Sequence, residues 1–478
     1  MLNKISFLDN FVEFYNEYPN ESFNGIFNFN QRSLLVRDVE LIKKICVKDF
    51  DYFMDHRHQP KSDLDALFFK NLIQLTGDEW KQMRATLSPA FTGSKMKGMF
   101  VLISECAQKF TENFGETGIV ETDVKDLFTR FTNDVIATCA FGVQCDSIKD
   151  RENDFYMMGK NVTYFEGLTL FKFLLFSSFP KMFKIFGWRI FERSSTSFFF
   201  DIIRETMEYR ISNGVVRPDM LDLLMEVRKG KLKQDQQEDQ PDQGFAAVEE
   251  SRTEIRETSQ KGITDVDIAA QAFIFFFGGF ETSSIILSFM ANELAINVDV
   301  QEKLQEEIDD VMAKSNRKPT YENVLGMKYL DMVVSETLRK WPPSPIIDRE
   351  CTKEYNLQGN GRSYTLKIGD NITIPIIGFH RDERYFPEPD KFDPERFSDE
   401  NRKHIIPYTY MPFGVGPRAC IASRFALLEI KVLFVYLLHK FDLVVTEKTS
   451  APIKLCMGTL RVQPEGGFWV GMKQRTLN

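Results

Sequence analysis

The segment Phe413-Gly414-Val415-Gly416-Pro417-Arg418-Ala419-Cys420-Ile421-Ala422 is the most informative part of this 478-residue chain. It holds a cysteine in a glycine-bearing loop, directly before an amphipathic run from Ser423 to Lys440 that predicts a helix. The unpaired amides and positive dipole of a helix N-terminus favour a thiolate at Cys420, and Arg418 adds a fixed positive charge. A thiolate in this position can act as a nucleophile, a redox thiol or a metal ligand.

Among these roles, three residues near Cys420 favour ligation of a metal that is bound in a planar organic ring. Gly416 would let the backbone approach a planar group closely, and Phe413 offers an apolar surface. Arg418 offers a planar pair of donors to a carboxylate. These properties suit haem, with iron on the sulfur and a propionate on the arginine. The alternative is a structural cysteine, because free cysteine usually behaves as a small buried hydrophobic residue.

Five motifs together resemble the cytochromes P-450, the haem-thiolate monooxygenases. Besides the cysteine loop they are Trp80-x-x-x-Arg84, Gly278-Gly279-Phe280-Glu281-Thr282-Ser283, Glu336-Thr337-Leu338-Arg339 and Pro394-Glu395-Arg396-Phe397. The resemblance extends from about Phe23 to the C-terminus. Details such as Gly244-Phe245-Ala246-Ala247-Val248-Glu249-Glu250-Ser251 are similar to the ninth family of insect enzymes, in the clan of the vertebrate family-three drug-metabolising enzymes.

The resemblance implies one mainly α-helical domain with small β-sheets over residues 1–478. Amphipathic periodicity also predicts helices, among them 121–143, 321–340 and a long one from Ile263 to Asn297. Residues 228–262 are rich in Lys, Gln, Asp and Glu, which predicts a flexible surface loop.

Composition narrows the functional class. The net charge is −9 and no basic tail is present, which argues against nucleic acid as a partner. Seven scattered cysteines without a C-x-x-C pair indicate a reducing compartment, without disulfides or a zinc site. No run of about 20 apolar residues predicts a membrane span. Microsomal members of the resembled family begin with a membrane anchor, which we expect to be missing here, and they lie on the cytosolic face of the endoplasmic reticulum membrane.

Residues 168–191 interleave aromatic side chains with lysine, as in Leu170-Phe171-Lys172-Phe173. This pattern suits a surface that dips into a lipid interface. Buried contact between helices is the alternative. In the resembled family this region caps the substrate pocket and touches the membrane, which favours a peripheral membrane contact.

The long predicted helix carries a second group of candidates. Glu281 and Thr282 combine an acid and a hydroxyl, which with ordered water can relay the protons that oxygen activation consumes. The Gly278-Gly279 pair costs a helix about 1 kcal/mol per residue, so we expect a local kink beside Thr282. The alternative is a helix that packs closely through small residues. Helical spacing adds three substrate-pocket candidates, which are Ile274, Phe277 and Gly278.

Haem propionates need cations. Trp80 and Arg84, at i and i+4, present an N–H and a guanidinium from one helix face, and the resemblance adds Arg349. Without the resemblance, both arginines would be interpreted as ordinary surface residues. Ile346 and Ile347 are expected to form apolar walls, and a pocket of this kind suits lipophilic ligands.

Glu336 and Arg339 are three residues apart and can pair on one helix. A single exposed pair contributes only about 0–1 kcal/mol, so this spacing is weak evidence by itself. The resemblance adds Arg396 and implies a buried network that holds the segment before the haem loop.

Together these features predict a haem-thiolate monooxygenase that inserts one atom of O2 into lipophilic compounds such as xenobiotics. The cofactor would be haem b with Cys420 as axial ligand. NADPH would supply electrons through a separate NADPH-cytochrome P-450 reductase, because this sequence has no Gly-rich dinucleotide fingerprint. Cytochrome b5 is a second candidate donor, and Lys81, Arg424 and Lys431 would offer positive charge to an acidic partner. A haem-dependent isomerase or dehydratase of hydroperoxides and a haem-containing binding protein are the alternatives.

Overall fold

The computed structural model describes residues 5–28, 31–57, 65–114, 118–163, 167–179, 182, 185–229, 244–248, 263–459 and 461–476. This part of the chain is mainly helical with small β-sheets, which confirms the predicted fold class. The predicted surface loop at 228–262 lies outside the described residues, apart from 228–229 and 244–248.

The helices are numbered in chain order. The first group comprises α1 (Phe7–Asn16), α2 (Val39–Lys43), α3 (Ala66–Phe69), α4 (Gly77–Leu87), α5 (Gly93–Glu112), α6 (Val124–Ile136), α7 (Asp154–Thr163), α8 (Gly167–Ser178), α9 (Arg193–Asn213) and α10 (Met220–Arg228). The second group comprises α11 (Asp265–Ile296), α12 (Val298–Lys314), α13 (Tyr321–Leu325), α14 (Lys328–Lys340), α15 (Ile376–His380) and α16 (Ser423–Lys440).

Nine strands of the described residues form three small sheets. They are β1 (Phe23–Asn28), β2 (Gln31–Val36), β3 (Ile119–Asp123), β4 (Ile347–Glu350), β5 (Tyr355–Gly359), β6 (Arg362–Leu366), β7 (Asn371–Ile374), β8 (Phe441–Val444) and β9 (Trp469–Gln474). The largest sheet has the order β1-β2-β7-β4, with β2 and β7 parallel. A second has the order β3-β9-β8, and β5 and β6 form a hairpin.

Helix α11 forms the centre of the core and is buried along most of its length. Its N-terminus is fixed by a capping box in which Thr264 and Asp267 bond each other's backbone N–H. By length and composition α11 is the one described helix that could cross a membrane. Its apolar character on all sides is equally that of a helix enclosed by other helices, and it packs against α6, α3 and α14.

Two predicted helices differ from the observed elements because distant residues intervene. The predicted helix at 121–143 begins instead with β3, since Ile119 to Asp123 pair with β9 near the C-terminus. The predicted helix at 321–340 is divided into α13 and α14. The carboxylate of Glu307 accepts the backbone N–H groups of Tyr329 and Leu330 at 3.0 and 2.9 Å, which stabilises a new N-terminus there.

Candidate active site

A cavity of ≈ 660 Å³ lies between α11 and the loop that precedes α16. It gathers candidates that are far apart in sequence. The predicted residues that line it are Trp80, Arg84, Ile274, Gly278, Thr282, Ile346, Ile347, Arg349, Phe413, Arg418 and Cys420. The predicted residues Gly416, Phe277 and Glu281 do not line it.

The cysteine loop is a series of tight turns. The N–H of Cys420 donates to the carbonyl of Phe413 at 2.9 Å, and the N–H of Ala419 donates to that of Gly416 at 2.9 Å. The Cys420 side chain lies inside the protein but faces the open space of the cavity, and it is the only exposed cysteine of the seven. The cavity therefore presents one sulfur at a helix start, as the sequence predicts.

The electrostatic environment of the sulfur differs in one respect from the prediction. Burial raises the pKa of the Cys420 thiol, while the backbone N–H of Ala422 and the charge of Arg84 act in the opposite direction. Arg84, whose Nη1 donates to the carbonyl of Ala419 at 2.9 Å, is thus a cation close to the sulfur. A coordinating metal ion deprotonates a thiol outright, so the raised pKa is compatible with ligation.

Gly416 has a different role from the predicted one. Its φ is +75°, and a Cβ there would lie 1.9 Å from the carbonyl oxygen of Cys46. The close approach is therefore to the backbone after α2 and not to a planar group. Gly414, with a φ of +76°, is the loop glycine that lines the cavity.

Arg418 also differs from its predicted role. Its guanidinium donates to the carbonyls of Met54, Leu72 and Leu75 at 2.7, 3.2 and 2.7 Å. It lies 4.1 Å from the centre of the Trp80 ring. These partners tie the loop to residues 54–75, so the donors expected for a propionate are largely engaged elsewhere.

Two other arginines have the free donors that a carboxylate needs. Arg349 of β4 is 1 % exposed, and the Nε atoms of Arg349 and Arg57 are buried without a described acceptor. Both line the cavity. Burial lowers the pKa of Arg57, and burial followed by the charge of Arg349 lowers that of Arg418 to about 9. The carboxylates of Asp348 and Asp55 offset part of this positive charge. The unpaired Nε donors of Arg57 and Arg349, beside apolar walls, fit the carboxylates of haem.

Gly278 and Gly279 of α11 are small for different reasons. A Cβ at Gly278 would meet nothing within 4 Å, because that position faces the cavity. A Cβ at Gly279 would lie 2.6 Å from Cδ1 of Ile136 on α6. Helix α11 runs without interruption from Asp265 to Ile296, and the Thr282 hydroxyl donates to the carbonyl of Gly278. Close packing and cavity space thus account for the two glycines, and the kink beside Thr282 stays a prediction.

The cavity-facing side of α11 is rotated from the predicted one. Phe275 lines the cavity, whereas Phe277 lies 6.3 Å from the Phe68 ring of α3. Glu281 accepts from the Nζ of Lys125 on α6 at 3.0 Å. Residues four apart lie on one side of a helix. The side that carries Ile274 and Thr282 faces the cavity, and Phe277 and Glu281 therefore lie outside the cavity wall.

Glu336, Arg339 and Arg396 are brought together as predicted. Both oxygens of Glu336 accept from Arg339, at 2.6 and 2.8 Å, and neither side chain is exposed. The Nε of Arg396 lies 3.4 Å from Glu336 Oε1. Arg339 also donates to the carbonyls of His380 and Pro389, each at 2.8 Å, which ties α14 to the segment before the haem loop.

Sequence reasoning missed His380, which connects this network to the cysteine loop. The Nε2 of His380 accepts the N–H of Met411 at 3.0 Å, so Nδ1 carries the proton and donates to the carbonyl of Arg339 at 3.0 Å. Burial and the charge of Arg339 lower the pKa of His380 to about 3. A histidine outside any motif gave no signal for this role.

Lys431 is not available to a partner, in contrast to the prediction. Its side chain is 0 % exposed and its Nζ lies 2.7 Å from Asp331 Oδ1. Lys81 is 37 % exposed and pairs with Asp51 at 3.1 Å. A positive docking surface near Cys420 would therefore depend on Lys81 and Arg424 and not on Lys431.

Comparisons with known proteins agree with this geometry. The family described as Cytochrome P450 matches residues 3–470. The chain is 44 % identical over 493 aligned residues to Cytochrome P450 9e2 of Blattella germanica, covering 100 % of this chain and 90 % of that protein. It is 43 % identical to Probable cytochrome P450 9f2 of Drosophila melanogaster, covering 99 % of this chain and 90 % of that protein. It is also 38 % identical to Probable cytochrome P450 6a13 of Drosophila melanogaster, over 95 % of this chain and 86 % of that protein. The chain belongs to the cytochrome P450 family of haem monooxygenases, with its strongest similarity among these to insect members of the ninth family.

Proposed function

We propose that this protein inserts one atom of O2 into lipophilic substrates, xenobiotics among them, with electrons that originate from NADPH. The observation that carries the proposal is that Cys420 and Thr282 face one cavity. A haem bound through Cys420 supplies the activation of dioxygen, which thiolate ligation favours. The residues of the chain would bind the haem, orient the substrate and deliver protons into the cavity.

Binding of haem b is assigned to both sides of the cavity. Cys420 is the proposed axial ligand, and Phe413 gives apolar contact. Arg57 and Arg349 are proposed to hold the propionates through their unpaired donors. Trp80 and Arg84 are proposed as further donors to the propionates. Arg84 also donates to the carbonyl of Ala419 at 2.9 Å.

Proton delivery is proposed to use Thr282 and Glu281 in series. The Thr282 hydroxyl is at the cavity wall. Glu281 lies on the adjacent face, is 34 % exposed, and is held by Lys125. This arrangement suits a relay in which the carboxylate takes protons from solvent and the hydroxyl hands them into the cavity.

Substrate contact is proposed for the apolar walls. Ile274, Phe275, Ile346 and Ile347 line the same cavity as the sulfur. Few fixed polar groups point inward from this side, so recognition would depend on shape and apolar area. This supports lipophilic substrates of mixed size.

The partners are proposed to be a separate NADPH-dependent reductase, with cytochrome b5 as a second donor, and the cytosolic face of the endoplasmic reticulum membrane. Membrane contact is supported by exposed apolar side chains on α8 and in the connection from α8 to α9. Their exposed fractions are 60 % for Phe171, 77 % for Ile185, 60 % for Phe186 and 42 % for Trp188. Exposed apolar side chains close together in the chain suit an interfacial position.

The test uses Cys420→Ser and Cys420→His beside the parent protein. The parent is expected to bind haem, to show the ferrous–CO absorption of a thiolate ligand, and to oxidise lipophilic compounds only with NADPH and reductase. Both variants should lose the thiolate-type spectrum and product. Retention of spectrum and product in Cys420→Ser would refute the ligand assignment, and turnover of hydroperoxides without NADPH would favour an isomerase.

A further inference from the structure

The segment Gly244–Val248 lies in the connection between α10 and α11, yet it packs on α14, α16 and the chain before the cysteine loop. The N–H of Phe245 donates to Asp331 Oδ2 of α14 at 2.9 Å. A turn closes over this bond, because the N–H of Ala247 donates to the carbonyl of Gly244 at 3.1 Å. Ala246 is 5 % exposed and belongs to the hydrophobic core, and the partly buried Ala247 packs against that core.

Gly244 is required by the ion pair beneath it. A Cβ at this position would lie 2.1 Å from Asp331 Oδ1 and 3.0 Å from Lys431 Nζ, and its φ is +102°. The two oxygens of Asp331 are thus divided between Lys431 and the N–H of Phe245. A buried ion pair is stable only when additional hydrogen bonds satisfy it, and the segment provides one.

Phe245 extends the contact to the residues that lead into the haem loop. Its ring lies 5.3 Å from Phe397, which directly follows Arg396, and 5.5 Å from Tyr410. Tyr410 donates its hydroxyl to the carbonyl of Ser335 at 2.9 Å and stacks on His380 at 5.3 Å. Tyr410 is three residues before Phe413 in the cavity wall.

We propose that Gly244–Val248 is a clamp that positions the haem loop, with Phe245 as the positioning residue acting through Tyr410 and Phe397. The ring of Phe245 packs against Phe397 and Tyr410. His380, which is bonded to the Glu336 network through Arg339, also stacks on Tyr410. Displacement of Phe245 would free Tyr410 to move, and Met411 to Cys420 would follow it. The proposal rests on ligation of haem by Cys420.

The experiment compares Phe245→Ala and Phe245→Leu with Tyr364→Ala as matched control. Tyr364 is an aromatic residue of β6 that is 48 % exposed and outside this group. Three readouts are taken: transfer of haem to an excess of an apo-globin acceptor, the thiolate-type fraction of the ferrous–CO spectrum, and amide hydrogen exchange of residues 406–420. Two aromatic contacts are lost in Phe245→Ala, so we expect haem loss about tenfold faster, with faster exchange confined to that segment.

Phe245→Leu should restore most of the parent behaviour, because it retains apolar volume, and Tyr364→Ala should equal the parent. Haem loss, spectrum and local exchange that are unchanged in Phe245→Ala would overturn the clamp, as would exchange that is raised equally throughout the chain. If Phe245→Ala does not fold, Phe245→Val replaces it, because it removes the ring but keeps part of the apolar volume. Haem loss faster than in Phe245→Leu would then support the clamp, and haem loss equal to that of the parent would overturn it. A parent protein without a thiolate-type spectrum would instead refute the ligation by Cys420.

Discussion

The Nζ of Lys125 lies 3.0 Å from Oε2 of Glu281 and also donates to Thr129 and Ser284, at 3.0 and 2.9 Å. One lysine of α6 therefore connects the acid of α11 to two hydroxyls. Burial lowers the pKa of Lys125, and Glu281 counteracts that shift. The acid of the predicted proton relay is thus held in place by a residue that no sequence motif marks.

Lys125→Met is expected to reduce the share of consumed NADPH that appears as oxidised product, because Glu281 loses the group that orients it. Glu281→Gln should do the same. A double-mutant cycle on the free energy of unfolding should give a coupling of about 1 kcal/mol, since the pair is partly buried. An additive double variant, with product yield per NADPH unchanged, would show that the pair does not orient the acid.

Gly416→Ala is expected to destabilise the cysteine loop more than Gly414→Ala. Both positions have a positive φ, but only the Cβ at 416 would meet a backbone oxygen, that of Cys46 at 1.9 Å, whereas the nearest atom to a Cβ at 414 is 3.7 Å away. Forcing the backbone apart should cost about 1–3 kcal/mol beyond the shared conformational cost. Urea unfolding and haem content of the two variants measure the difference, and equal losses would contradict this reason for the glycine.

Glu336→Ala is expected to give apoprotein or aggregate, because it leaves Arg339 buried without its carboxylate. Loss of one partner from a buried pair costs about 3–5 kcal/mol. Arg396→Ala should be milder, since Arg396 is 12 % exposed and lies at 3.4 Å. The measurement is haem per soluble protein in both variants. Normal haem content in Glu336→Ala would refute the structural role of the network.

Stability is expected to fall on acidification partly through His380. Its pKa is lowered from 6.5 to about 3 in the folded protein, so between these values the unfolded chain binds a proton that the folded chain does not. The free energy of unfolding therefore decreases as pH falls below about 6.5, by about 1.4 kcal/mol per unit from this group alone. Urea unfolding at pH 7, 6 and 5 should show a shallower decline in His380→Gln than in the parent. Parallel slopes would exclude this contribution.

The triple substitution of Ile185, Phe186 and Trp188 by serine is expected to weaken binding to phospholipid vesicles. These side chains supply exposed apolar area within residues 185–188, and membrane affinity at an interface scales with the apolar area that is buried. Val216→Ser is the control, because Val216 is an apolar residue that is 80 % exposed and distant from 185–188 in the chain. Co-sedimentation with vesicles gives the comparison, and equal binding of both variants and the parent would place the membrane contact elsewhere.

The sequence predicted those features that depend on residues close together in the chain. The cysteine before a helix, the extent of α11, and the pairing of Glu336 with Arg339 follow from spacing and periodicity, and the structure has all three. Spacing also indicated that Ile274, Gly278 and Thr282 share a face. Spacing does not determine how far this face is rotated about the helix axis. Phe277 and Glu281, which the spacing also predicts at the cavity, instead contact α3 and α6.

By itself, the sequence determined the family, the mainly helical fold, and the sulfur that faces the cavity, because these are recorded in motifs of a few neighbouring residues. Only the tertiary structure decided the partners of Arg418, the neighbour of Gly416, and the burial of Lys431 beneath Gly244. Each of these depends on which distant backbone or side chain comes within a few ångströms. Local periodicity carries no information about such contacts, since packing of the whole chain selects them.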